Sequence, residues 1–328
     1  MTGTVVSIRY LSRQDVSGLG LKGRAMADAI ESVLQAAAYG QAQNFPKTSK
    51  ILADGRLFQS IMAVGLAKPA PLMAATKVVG LSLSNSARGL PHLGGVIVLI
   101  DGETGMPAAI MDATWITEAR TAAISLLAAR RYARRDASRI GFVACGAQAQ
   151  SHLWTFKEVF PLREVTAFSR SRASAEALAE QARAMGIEAS VATEPRDAVS
   201  GQDIVISSVP AGPDCSPFLR AEWLSPGGFA SLVDLGRSWY PDGFETIAHR
   251  IVDDAAQAEA SASYRRLTPD GPYTAELKDV ACNADLRRLN DTERAVFTFQ
   301  GFALADLAVA DLALQAASAA GVGVLLPG

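Results

Sequence analysis

Arg139-Ile-Gly-Phe-Val-Ala-Cys-Gly-Ala-Gln-Ala-Gln150 is the stretch that decides the fold. Its apolar run, Ile140 to Ala144, reads as a buried parallel strand. The run breaks at Cys145-Gly146 and gives way to a helical stretch from about Ala147 to Val159. A second strand follows at Glu164 to Phe168. Strand, glycine turn, helix and strand make the first βαβ unit of a dinucleotide-binding fold. The fingerprint is eroded: Ala144 and Gln148-Ala149 stand where glycines are expected, and Gly146 remains. It also begins near residue 140, so a whole domain precedes the cofactor site.

Downstream, strands are predicted at 140–144, 164–168, 188–192, 203–207, 229–233 and 249–252, with an Ala-rich amphipathic helix from Ser174 to Met185. This alternation argues a parallel sheet covered on both faces. Upstream, residues 13–39 read as helix, because Met26, Ile30, Val33 and Leu34 fall at helical spacing. Residues 56–63, 73–81, 94–100 and 106–113 read as strands, and Thr117 as the N-cap of a helix running to about Arg134. A long helical stretch returns after about residue 290, rich in small residues that suit packing on the first domain.

The 328 residues suffice for two domains, each with its own core. A net charge of -2 gives no global pull toward nucleic acid or anionic membrane. Asp306 and Asp311 interrupt the apolar run Gly301 to Leu326, which therefore reads as a buried helix and not a membrane span. Cys145, Cys215 and Cys282 are odd in number and far apart. With no secretion signal in view, they read as reduced thiols of a cytoplasmic protein, and no Cys/His spacing suggests a metal site.

The local chemistry points to several candidates. Gly146 lets backbone approach a pyrophosphate, and the helix opening at Ala147 and Gln148 offers free N–H groups to it. The bland alternative is an ordinary turn. The second strand ends Phe168-Ser169-Arg170-Ser171-Arg172, without the acidic residue that holds a ribose 2′-OH. Guanidinium and hydroxyl groups suit a 2′-phosphate instead, so NADP(H) is favoured over NAD(H). Ser208, Val209 and Pro210 follow a strand and either pass the cofactor or form a simple turn. Asp234 follows another strand, either as a general acid/base or as a turn residue bonded to its own backbone. Lys77 lies within the apolar run Leu72 to Gly80, where a cation needs a partner or ligand unless it faces water. Arg120, read near a helix N-terminus, hints at an anion or is a surface residue. His92 sits in a loop able to approach a cleft. His152 reads as a packed or solvated helix residue, and the run Arg130 to Arg135 as a solvated helix end.

Together these residues resemble the ornithine cyclodeaminase/mu-crystallin family over nearly the whole chain. The most specific part is Gly89-Leu-Pro-His-Leu-Gly-Gly-Val-Ile-Val-Leu-Ile-Asp-Gly-Glu-Thr-Gly-Met-Pro-Ala-Ala109, continuing to Ile116-Thr-Glu-Ala-Arg-Thr-Ala-Ala123. Ala144-Cys-Gly-Ala-Gln-Ala149 looks like the family's Gly-x-Gly-x-Gln-Ala, and Gln300-Gly-Phe-Ala-Leu-Ala-Asp306 like its Gly-x-Ala-x-x-Asp. The resemblance implies an α/β fold. A Rossmann-type, doubly wound parallel sheet domain at 119–312 is inserted between an N-terminal α+β substrate and dimerisation domain at 1–118 and a C-terminal helix, 313–328, that returns to it. It implies a homodimer, and NAD(P)-dependent hydride transfer at the α-carbon of a small amino acid, its imine or a cyclic ketimine.

By resemblance, Lys77 lies near the substrate carboxylate and reacting nitrogen, Arg120 binds the carboxylate, and Lys47 stands where many members have a second carboxylate ligand. Thr121 lies near the cofactor phosphates, and Gln59, Met62 and His92 surround the substrate side chain. The chain also departs from the family. An ungapped alignment puts Gly236 at the catalytic aspartate, with Asp234 two residues earlier, and Phe299 replaces the cyclodeaminase serine. These changes weaken a deaminating cyclase reading and leave an amino-acid dehydrogenase or imine reductase in front. A cofactor-dependent binding protein is the third possibility.

Overall fold

The computed structural model describes residues 7–211, 216–268 and 273–327; Cys215 lies outside them. The chain divides into two units, Met1–Arg120 with Phe302–Gly328, and Thr121–Gly301. The first opens with β1 (Ser7–Leu11), α1 (Arg13–Gly18) and α2 (Gly23–Ala38). The helix expected over 13–39 is therefore two, separated around Gly20, whose φ of 66° no right-handed helix contains. Then come β2 (Ala42–Asn44), β3 (Thr48–Ile51), β4 (Leu57–Gly65), β5 (Met73–Leu81), β6 (Leu93–Asp101) and β7 (Pro107–Asp112). Helix α3 (Ala113–Tyr132) begins ahead of Thr117. Its cap is Asp112, whose carboxylate accepts from the N–H groups of Thr114 and Trp115, both at 3.0 Å.

The second unit holds β8 (Arg139–Val143), α4 (Ala147–Lys157), β9 (Glu164–Phe168), α5 (Arg172–Ala184), β10 (Glu188–Val191), β11 (Ile204–Ser207), β12 (Phe229–Leu232) and β13 (His249–Val252). It continues through α6 (Ala255–Ala260), α7 (Ala262–Leu267), β14 (Ala275–Glu276), α8 (Leu277–Cys282) and β15 (Ala295–Thr298). The chain then returns to the first unit as α9 (Ala303–Ala320) and β16 (Val324–Pro327). Two expectations are corrected here. Residues 295–298 form a strand between β12 and β13, not part of a helix. The return begins at Phe302 and not at 313, because α9 is one unbroken helix.

The second unit's sheet is parallel, in the order β10-β9-β8-β11-β12-β15-β13-β14. This is a Rossmann-like sheet: the strand order reverses beside β8, and ligands bind such sheets at that point. The register lines up Phe168, Val143, Ser207 and Leu232 across four neighbouring strands. The segments that follow, starting at 144, 169, 208 and 233, thus leave the same edge of the sheet.

The first unit's sheet runs β16-β1-β7-β6-β5-β4-β2, with β3 on β4. Side chains alternate across it. Met73, Ala75, Lys77 and Val79 of β5 are buried, and Ile61 and Ile97 flank Lys77 in register. Helix α9 packs against β4, β5 and β6, with α2 against α9. Phe58, Met62, Val78, Val96 and Tyr10 lie exposed on the opposite face. Helix α9 is long and apolar enough to span a membrane, but it is a core helix whose Asp306 is buried and ion-paired.

Candidate active site

Alternation along β5 turns Lys77 to the covered face, where it is 2% exposed. An ammonium there needs a hydrogen-bonded counter-charge. Asp306 supplies it from the first turn of α9, with Oδ1 accepting from Lys77 Nζ at 2.7 Å. The same oxygen accepts from Arg120 Nε at 3.1 Å, and Lys77 Nζ also donates to Thr117 Oγ1 at 3.2 Å. Because α3 begins at Ala113, Arg120 sits about two turns inside it. Arg120 is placed by Asp306, not by the helix end. Burial brings the Lys77 ammonium down to about 8; Arg120 and Lys47 push the same way and Asp306 opposes them. Lys47, half-buried in the connection between β2 and β3, thus belongs to this electrostatic group.

The remaining predicted substrate residues are less gathered. Gln59 shares the Lys77 face of β4, where its Nε2 donates to Ser49 Oγ at 2.8 Å. Met62 points to the opposite, open face, so the expectation that it lines a pocket with Gln59 is corrected by strand alternation. His92 is exposed on the loop leading into β6. The residue that sequence reasoning missed is Asp306. It was visible only as a charge interrupting an apolar helix and as the end of a family motif.

In the second unit, a cleft of about 480 Å³ lies at the edge where β8, β9 and β11 end. Its lining includes Gly146, Ser169, Arg170, Ser171, Val209 and Pro210, so residues read separately from the sequence converge. Gly146 caps α4 without a side chain, and a Cβ built there meets nothing within 4 Å. Open space above an uncapped helix N-terminus fits a pyrophosphate. Ala147 and Gln148 form the first turn of that helix. Ser208 Oγ donates to Ala144 O at 3.3 Å, which ties the β11 loop to the β8 turn. Ser171 caps α5 by accepting from Ser174 N, and Arg172 pairs with Glu176. Ser169 and Arg170 face the cleft, with no carboxylate lining it among the described residues. Thr121 is buried on α3 and is not part of that lining. Cys145 is buried, its Sγ donates to Phe168 O at 3.4 Å, and burial pushes its thiol up to about 12, which disfavours the thiolate.

Asp234 follows β12 and is 2% exposed. Its carboxylate accepts from Ser207 Oγ at 3.3 Å, Gly236 N at 3.0 Å and Ser238 Oγ. Burial nevertheless raises it to about 6, against the opposing pull of those bonds and of Arg237. Leu235, next in the turn, holds φ at 61°. Gly236, where the alignment placed the aspartate, has φ 74°, and a Cβ there would lie 2.1 Å from Leu267 Cδ1. A side chain at 236 would therefore hold a strained backbone and require the tip of Leu267 to shift.

The sequence is 30% identical over 323 residues to alanine dehydrogenase of Archaeoglobus fulgidus, covering 95% of this chain and 96% of that protein. The fold superposes with a TM-score of 0.88 on the Δ1-pyrroline-2-carboxylate reductase of Thermococcus litoralis solved with NADH and L-proline; identity is 25%, and 97% and 99% of the two chains are covered. An archaeal alanine dehydrogenase dimer with bound NAD gives a TM-score of 0.84 at 26% identity, covering 98% and 99%. The sequence profile of the ornithine cyclodeaminase/mu-crystallin family matches residues 6–320. The chain belongs to the ornithine cyclodeaminase/mu-crystallin family.

Proposed function

We propose that this chain is an NAD(P)-dependent oxidoreductase that moves hydride between nicotinamide and the α-carbon of a small amino acid, its α-imine or a cyclic ketimine. The observation that carries the reading is the buried cluster in which Lys77 and Arg120 share one oxygen of Asp306. With Lys77 protonated, an ammonium and a guanidinium lie side by side on one carboxylate oxygen, a pairing of donors that suits a substrate carboxylate. Lys47 adds to their positive field. The names of the archaeal relative and of the proline-bound reductase support an amino or imino acid as substrate.

The nicotinamide, when bound, accepts or supplies the hydride. Lys77 and Arg120 hold the carboxylate, so the α-carbon is oriented. In the oxidative direction the substrate loses hydride from Cα and a proton from nitrogen, giving the imine. Asp234, raised toward neutrality, is the proposed group that receives a proton or holds the nitrogen. An Asp234→Asn variant with undiminished turnover removes it from the mechanism and leaves it as the anchor of its turn. The Gly146 turn receives the pyrophosphate. Ser169 and Arg170 favour a 2′-phosphate, hence NADP(H) over NAD(H). We also propose a homodimer built on the open sheet face of the first unit, and a cytoplasmic setting in which Cys145 and Cys282 stay free thiols.

The deciding assay incubates the protein with NADH or NADPH and imino acids, or keto acids plus ammonia, while reading the absorbance of the reduced cofactor. Steady net consumption is expected. Ammonia release from ornithine with catalytic NAD and no net reduction would indicate a cyclodeaminase, and cofactor binding with neither signal a binding protein. Arg170→Ala is expected to raise KM for NADPH about tenfold or more and leave NADH nearly unchanged. A wild-type preference for NADH would sink the 2′-phosphate argument.

A further inference from the structure

We infer that Asp306 is a positioning residue for this reaction: its carboxylate fixes the Lys77 ammonium beside Arg120 and keeps it charged, so that substrate meets two cations. The inference rests on the reading of Lys77 and Arg120 as carboxylate ligands.

Lys77 projects from β5 between Ile61 and Ile97, which are 3% and 0% exposed. Apolar surroundings favour loss of the ammonium proton. The groups that bear on Lys77 come from three further elements. Arg120 and Thr117 approach from α3, Asp306 from α9, and Lys47 from the connection between β2 and β3. Arg120 and Lys47 repel the ammonium, and Thr117 is neutral. Asp306 is the anion in this set, at 2.7 Å, and itself 1% exposed. Its Oδ1 takes both cations, so one atom sets the spacing of the ammonium and the guanidinium. Its other oxygen, Oδ2, is buried with no hydrogen-bond partner among the described residues.

Two roles for Asp306 make opposite predictions. If it merely neutralised excess charge, removing its charge would raise the positive field of Lys77, Arg120 and Lys47 and tighten carboxylate binding. If it keeps Lys77 charged and in place, removal lets the ammonium deprotonate, and carboxylate binding weakens.

Asp306→Asn keeps the side-chain shape and separates them. The Lys77 titration is followed in the full-length protein by NMR of 13Cε-labelled lysine, with the resonance assigned by its loss in Lys77→Arg. In the wild type, Lys77 is expected to titrate near 8. In Asp306→Asn the midpoint is expected to fall by about 1–3 pH units, and KM for the carboxylate substrate at pH 7 to rise about tenfold or more, with a smaller change in kcat. A midpoint that stays put, or a KM that falls, overturns the inference. So does a wild-type midpoint below neutrality, a test that stands even if the variant does not fold. The NMR arm needs no turnover. A wild type inactive on every amino and imino acid therefore fails the functional reading, while an unmoved midpoint fails the role of Asp306.

Discussion

Ala144 holds a backbone conformation that its side chain resists. Its φ is 70°, in the left-handed region that costs an L-residue roughly 1–2 kcal/mol. The sheet edge imposes it: Ala144 N still bonds Phe168 O at 2.8 Å, and the chain must then turn into α4. A glycine adopts this conformation freely but loses roughly 0.5–1 kcal/mol more chain entropy on folding. Ala144→Gly is therefore expected to stabilise the protein by about 0.5–1 kcal/mol, read as a higher urea midpoint with unchanged slope. A lower midpoint would show that the Ala144 methyl packs for more than the strain costs. The eroded fingerprint was legible as a turn; its strain was not, because sequence reports which residue is present and not the φ forced upon it. Lys77 shows the same limit. An apolar run with one lysine is compatible with either face of the sheet, and its counter-charge lies 229 residues away on another element.

Helix α4 is tied to its surroundings by a buried polar chain. His152 bonds Gln148 O through Nδ1 at 2.7 Å and Ser125 Oγ through Nε2 at 2.9 Å, and Ser231 Oγ donates to Ser125 Oγ at 2.9 Å. The chain links the cofactor-turn helix to α3 and β12. Burial holds the imidazole down at about 4. The unfolded chain binds the proton first as pH falls, so stability is full above about 6.5 and is lost as pH drops toward 4. At pH 5 the loss is about 2 kcal/mol. His152→Gln is expected to be less stable than wild type at pH 7 yet to show a flatter fall between pH 7 and 5, with denaturation midpoints as the readout. Equal slopes in the two proteins would remove His152 from the acid sensitivity. Periodicity revealed these helices but not their ends. Thr117 reads as a cap and Asp112 as the end of a strand, yet it is the Asp112 carboxylate that binds the first turn of α3. The strands β1 and β16 carry no local pattern of their own, because each is defined by pairing with the other at opposite ends of the chain.

At the scale of the molecule, the two sheets differ in what they leave open. Most of the parallel sheet reads from sequence because its central strands β8, β11 and β12, buried on both sides, are short apolar runs between turns and helices; β15, just as buried, runs straight into the stretch that reads as helix. The first sheet is covered on one face by α9, while its other face presents Phe58 at 51% and Val78 at 50% exposure, with Met62, Val96 and Tyr10 beside them. Apolar side chains clustered on one face of a strand array favour association. Val78 pairs with Ser60 and Val96 in register, which places it amid that face. If a second copy covers it, a carboxylate at position 78 must be desolvated in each protomer, at a cost well above the association energy one valine contributes. In the free monomer the same carboxylate stands in water and costs little. Val78→Asp is thus expected to convert a wild-type dimer to monomer in analytical ultracentrifugation while leaving the far-ultraviolet circular dichroism intact. Dinucleotide binding should survive, since Gly146, Ser169 and Arg170 belong to the other unit. A variant that still sediments as a dimer would place the interface elsewhere, and a wild-type monomer would leave this face without a partner of its own kind.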